Sequence, residues 1–330
     1  TSLAALFAAT AAQAQAPAVM TEIPVTHALV AQVMGELGAP GLLLDRGADP
    51  HHFQLRPSQA RALAQADLVV WMGPDLTPWL ARTAETLSNA RVLELLEVEG
   101  THLQPYAEAQ LLTTGDSAQG DHGHSHDDHG HDDDHGHSHD DHGHSHAHGH
   151  GHDHHHGDID PHAWLDPDNA QIWLGAIATE LAVLDPENAA TYQANAEAAQ
   201  ARLGDLKAEI EAILAPARDT GIVVYHDAYG YLAESFGLNV LGSITLGDAA
   251  TPGAARLSTI RANLTQAGAE CIFPEVNHPD AYVALVTEDS ALRVGRPLDP
   301  AGSMLEPGPA LYETLMRDMA QAIADCAAGN

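Results

Sequence analysis

The sequence predicts an α/β protein of two lobes, each built on a mostly parallel four-stranded sheet, joined by one long backbone helix. Three observations lead there. The 330 residues suffice for about two domains. Short β-rich strings alternate with helical strings near both ends of the chain, the pattern of a parallel sheet with covering helices. Between them lies a long run of strong helix formers.

Taken in order, "AVMTEIPV" reads as a strand, "HALVAQVMGELG" as a helix ending at Gly38, and "GLLLD" as a second strand. "RPSQARALAQA" is a helix opened by Pro57, since proline suits a first helical turn. "DLVVWMG" is a strand, "LTPWLARTAETLS" a helix and "RVLELL" a strand. Further on, "DPDNAQIWLGAIATELAVLD" is a helix expected to pack back on the first lobe. "PENAATYQANAEAAQARLGDLKAEIEAILAPAR" would span on the order of 45 Å at 1.5 Å per residue. That length suits a rod joining two lobes rather than a packing helix within one. The strand–helix rhythm then resumes. "GIVVYHD", "LNVLGSI", "CIFPE" and "ALRVGRPL" are strands; "AYGYLAESFG", "LSTIRANLTQAG", "AYVALVTED" and "ALYETLMRDMAQAIADCA" are helices. The expected first lobe covers 17–185, the linking helix 186–217 and the second lobe 218–330.

Composition narrows the function. Lys and Arg number 13 against 46 Asp and Glu, a formal net charge of −33. Such a surface draws cations and repels nucleic acid, and no basic patch is present to neutralise phosphates. The opening "TSLAALFAATAAQAQA" reads as a remnant of a secretory signal over 1–16, with cleavage after Ala14 or Ala16. No cysteine lies beside that point, which argues for an exported protein without a lipid anchor. The two cysteines, Cys271 and Cys326, most simply pair in an oxidising compartment.

An insertion over 113–158 interrupts the first lobe. From Asp121 to Asp158 it is almost wholly His, Asp, Gly and Ser, and it carries 17 of the 24 histidines. They are His122, His124, His126, His129, His131, His135, His137, His139, His142, His144, His146, His148, His150, His152, His154, His155 and His156. With no apolar periodicity the segment cannot form a core, and it is expected to be a disordered surface loop. Each ligand set on a flexible chain loses ordering entropy on binding, so the loop is expected to hold metal ions weakly.

Outside the loop remain His27, His51, His52, His102, His162, His226 and His278. His51 follows the strand "GLLLD", His162 precedes a helix, and His226 closes "IVVYHD". Ligands in open α/β sheets bind beyond the carboxyl ends of strands. Three neutral imidazoles meeting there suit Zn²⁺, which favours nitrogen and sulfur donors in a tetrahedral site. The fourth position falls to Asp299, in "RPLDPAG", or to water. His52 could replace His51, while His27, His102 and His278 read as surface histidines.

The strings "GADPHHFQLRPSQ", "DPHAWLDP" and "VVYHDAYGYLAESFGL" resemble three motifs of the zinc-uptake substrate-binding proteins of ABC transporters, the ZnuA type. The resemblance extends to the His-rich insertion, the long helix, "LDPAG" and the two late cysteines. It implies two lobes, one metal in the cleft held by His51, His162 and His226, and a Cys271–Cys326 disulfide as in zinc-type members. It implies a periplasmic protein that passes Zn²⁺ to a membrane permease driven by a cytoplasmic ATPase. A periplasmic zinc chaperone is a further candidate partner, and the chain is expected to be a monomer. Where some relatives place an acidic ligand just before the first histidine, this chain has Pro50.

Three alternatives stand beside that reading. The first is a manganese-type binding protein of the same fold. The second is a zinc hydrolase with a metal-bound water as nucleophile and Asp160 or Asp227 as base, although no HExxH segment exists. The third makes the His-rich loop the main functional element.

Overall fold

A computed structural model of the chain describes residues 16–84, 86–87, 90–106, 159–245, 252–264 and 266–329. The signal segment up to residue 15 and every histidine of the 113–158 insertion lie outside these residues.

The first lobe runs β1 (Val19–Thr21), α1 (Pro24–Met34), β2 (Gly41–Leu42), α2 (Pro57–Ala64), β3 (Leu68–Trp71), α3 (Pro78–Ala84) and β4 (Arg91–Glu94). Two long helices follow, α4 (Pro167–Leu184) and α5 (Ala189–Leu214). The second lobe runs β5 (Gly221–Val224), α6 (Gly230–Phe236), β6 (Val240–Ser243), α7 (Ala254–Leu264), β7 (Ala269–Ile272), α8 (Asp280–Thr287), β8 (Arg293–Val294) and α9 (Leu311–Ala328). Each lobe holds one four-stranded sheet, ordered β2-β1-β3-β4 and β6-β5-β7-β8. Every pairing within them is parallel. The strand order reverses beside β1 in one lobe and beside β5 in the other, and such a reversal opens a crevice at the carboxyl ends of the strands.

The central strands are buried on both faces, so they read as unbroken apolar runs rather than alternating ones. Their side chains nevertheless divide between layers with period two. Leu68 and Val70 of β3 enter the main core, while Val69 and Trp71 pack with Leu63 and Leu80 of α2 and α3. In β5, Ile222 and Val224 face the main core, while Val223 packs under α7 and α8 with Leu257, Ile260 and Val286.

Several elements differ from the sequence reading. The first strand stops at Thr21, and α1 begins at Pro24, because a proline that cannot donate to a ladder fits a first helical turn. The last strand shrinks to Arg293–Val294 at the sheet edge, with Pro297 just beyond lacking a donor. Helix α5 is not a free rod. It buries Tyr192, Ala196, Ala199, Leu203, Leu206, Ile210 and Leu214, spaced three or four apart on one face. These join α1, α4, β3, β5 and α9 in one continuous core that belongs to both lobes.

The structure joins Cys271 of β7 to Cys326 of α9 in a disulfide with the two Cα atoms 6.2 Å apart. The bridge ties the last helix to the second sheet. Among the described residues no helix is long and apolar enough to cross a membrane.

Candidate metal centre

His226 stands two residues beyond β5, and Glu275 three residues beyond β7, on either side of the point where the second sheet reverses its order. His51 sits on the long connection from β2 to α2, and His162 just before the short turn Ala163–Leu165 that leads into α4. The Asp166 side chain caps α4 by accepting from the Asp168 N–H at 3.0 Å.

The fold brings the three histidines together. One ring nitrogen from each of His51, His162 and His226 forms a group within 4.8 Å of one another. Ring centroids lie 5.5 Å apart for His51–His162, 6.3 Å for His51–His226 and 5.1 Å for His162–His226. They line a cavity of about 30 Å³ with Asp49, Trp164, Glu275, His278 and Asp299. At ~10–15 Å³ per water-sized sphere that is room for an ion and a water, not for an organic substrate.

Two carboxylates hold the two buried rings from behind. Asp160 Oδ1 lies 2.7 Å from His162 Nδ1 and also accepts the His162 N–H at 2.9 Å. Glu275 Oε2 lies 2.6 Å from His226 Nδ1 and accepts from the Tyr229 hydroxyl at 3.2 Å. With Nδ1 facing a carboxylate, the neutral form of each ring would donate there and offer Nε2 as the acceptor. These two Nε2 atoms face each other at 3.4 Å. Burial alone would raise the Glu275 pKa, but the charge and hydrogen bond of His226, helped by His278, bring it down to about 2.

His51 is half-buried, and Asp49 Oδ1 accepts its backbone N–H at 2.8 Å. Pro50 serves the loop through its carbonyl, which accepts from Trp79 Nε1 at 2.7 Å. His52 points elsewhere. Its ring is exposed and pairs with Asp49 Oδ2 at 3.1 Å, so it does not stand in for His51.

Asp299 lines the same cavity but lies outside the three-histidine group. Its Oδ1 accepts from the Ser303 N–H at 2.9 Å and its Oδ2 from the Met304 N–H at 2.8 Å. Burial pushes its carboxyl up, with those donors opposing. Oδ1 also accepts from the Ser303 hydroxyl at 3.2 Å, so the turn leaves a second lone pair on Oδ2.

The lobes meet tightly here. Trp164 Nε1 donates to the Pro300 carbonyl at 2.8 Å, Tyr312 donates to the Trp164 carbonyl at 2.8 Å, and Tyr231 donates to the Asp160 carbonyl at 2.9 Å.

Glu275 was not among the sequence candidates, though it ends "CIFPE" at a strand terminus by the same rule that marked His226. His278 is not a plain surface residue: its ring lines the cavity and stacks on Tyr225 with centroids 4.5 Å apart. Burial lowers the pKa of His27, whose Nδ1 is enclosed. Neither Asp160 nor Asp227 lines the cavity, so neither stands where a hydrolytic base would act.

Known proteins share this fold and much of this sequence. A family profile described as "Zinc-uptake complex component A periplasmic" (ZnuA) matches residues 19–326. A high-affinity zinc uptake system protein ZnuA of Paracoccus denitrificans is 50% identical over 320 residues, 97% of this chain and 94% of that protein. A crystal structure of ZnuA superposes with a TM-score of 0.70 at 22% identity, covering 94% of this chain and 99% of that one. The periplasmic zinc-binding protein TroA of Treponema pallidum superposes with a TM-score of 0.71 at 19% identity, covering 94% and 99%. The chain belongs to the ZnuA family of zinc-uptake substrate-binding proteins, which bind and carry a solute and are not enzymes.

Proposed function

We propose that this protein captures one Zn²⁺ between His51, His162 and His226 in the periplasm and delivers it to an ABC permease. The observation that carries the reading is the pair of Nε2 atoms facing each other at 3.4 Å. With both Nδ1 atoms committed to carboxylates, two lone pairs point at one small space. Two nitrogens that share a tetrahedral zinc at ~2.05 Å stand about 3.3–3.4 Å apart. Carboxylate–histidine pairs of this kind fix the tautomer and raise the basicity of metal ligands. Asp299 or a water takes the fourth position. Three nitrogen donors favour zinc over manganese, which prefers oxygen.

The exported chain acts as a monomer after loss of a signal segment over 1–16. The His-rich loop scavenges zinc at low supply and accepts it from a periplasmic chaperone, holding its ions more weakly than the preformed site. The permease and its cytoplasmic ATPase are the partners that a protein of this family serves.

The experiment is a zinc titration of the chain lacking residues 121–156, with chelator competition to measure affinity. One tight ion per chain is expected to survive the deletion, and His226→Ala is expected to remove it. Loss of the tight site with the loop, or its survival in His226→Ala, refutes the assignment.

A further inference from the structure

His278 lies outside the three-histidine group, yet its surroundings are built. Its ring stacks on Tyr225 with 25° between planes, and its Nε2 lies 3.4 Å from Glu275 Oε1. Glu275 therefore turns one oxygen to His226 and the other to His278. His226, Glu275 and His278 make a second group of ligand atoms within 4.8 Å of one another. The preceding residue, Asn277, has φ of 68°, an uncommon backbone for a residue other than glycine. Its Nδ2 donates to Ser303 Oγ at 2.8 Å, which secures that conformation. Backbone of this kind persists where surrounding contacts enforce it, and it gathers at functional sites. Here it sets His278 in the cavity wall with 22% of its side chain exposed, against 2% for His162 and 5% for His226. A cation arriving from solvent meets His278 before the two buried imidazoles.

We propose that His278 and Glu275 form an outer cation station, which takes an incoming Zn²⁺ at the cavity mouth and passes it inward to His226 and the three-histidine site. The proposal rests on the three-histidine reading above. Imidazole nitrogen and carboxylate oxygen are both zinc donors. Glu275 touches both histidines, so the outer station adjoins the inner site through a single residue. Asp49 lines the same mouth from the first lobe and adds negative charge there. A station on the route lowers the barrier in both directions. It speeds arrival and departure alike and leaves the equilibrium affinity nearly unchanged.

The test is stopped-flow tryptophan fluorescence of the full chain with zinc chloride as the probe, beside chelator competition for Kd. Trp164 reports arrival, since its ring centroid lies 5.1 Å from that of His162. His278→Phe keeps a ring on Tyr225 and removes both nitrogens, while His278→Gln keeps a donor toward Glu275 without the imidazole. Both variants are expected to associate about tenfold more slowly and dissociate more slowly by a similar factor, with Kd within about twofold of the parent. The His-rich loop is present in every protein compared, so its effect cancels. Association at the parent rate in His278→Phe overturns the station. A Kd weakened tenfold with unchanged association also overturns it, because His278 then acts as a support of the inner site. Absence of any tight zinc site in the unaltered chain overturns the three-histidine reading itself.

Discussion

Glu22 follows β1 directly and is wholly buried. Its Oε1 accepts the Met72 N–H at 2.6 Å, and its Oε2 lies 3.0 Å from Thr26 Oγ1. Burial raises its pKa from 4.5 to about 8, with those hydrogen bonds opposing. The folded chain keeps this acid neutral to about pH 8, whereas the unfolded chain ionises it from about 4.5 upward. Its contribution to stability is fully present below pH 4.5 and is lost as pH rises through about 8. Between pH 5 and pH 8 the loss is ~3–4 kcal/mol, at 1.36 kcal/mol per pKa unit. Glu22→Gln keeps an oxygen for Met72, offers an N–H to Thr26 and cannot ionise. The assay is urea unfolding of the metal-free, disulfide-intact chain at pH 5, 6, 7 and 8, variant beside parent. Zinc must be excluded, since a bound ion adds its own pH-dependent stabilisation. The stability difference, variant minus parent, should climb by ~3 kcal/mol across the series. A flat difference refutes the claim that burial holds Glu22 neutral.

Three further outcomes are expected. Glu275→Gln removes the charge that orients His226 and should weaken tight zinc binding about 10–100-fold by chelator competition; an unchanged affinity removes Glu275 from the site. Zinc affinity should fall as pH drops from 7.5 to 5, because each imidazole must shed a proton to coordinate, and calorimetry in buffers of different ionisation heat should register protons released. Reducing Cys271–Cys326 opens a link across 55 residues and should lower unfolding stability by ~4 kcal/mol on the chain-entropy account, read from denaturation with and without reductant.

The sequence made the two-lobe plan legible because buried parallel strands such as "LVVW" and "GIVV" are unmistakable apolar runs set between helical strings. His51, His162 and His226 were legible because two of them follow strands and all three sit in distinctive strings. Glu275 and His278 were not, because what they do depends on which strand ends converge, and one acidic residue after a strand looks like any other. The end of β1 was misread for a local reason: Pro24 opens a helix here, although "IPV" also suits a strand. The burial of α5 is hard to read because alanines are spread over every face of the helix, so the stripe of Tyr192, Leu203, Leu206, Ile210 and Leu214 is faint in composition.

The faint stripe has a mechanical consequence. Both sheets lean on α5 through one unbroken core, so prising the lobes apart would open apolar seams along a helix of 26 residues. Beyond buried Leu44, the connection that carries His51 rests on that core through half-buried Ala48 and Phe53. Strain applied from outside is therefore absorbed first by this connection, while the paired clamps Asp160–His162 and Glu275–His226 keep their spacing. The molecule is stiff around its two buried imidazoles and less tightly held along the connection that brings His51.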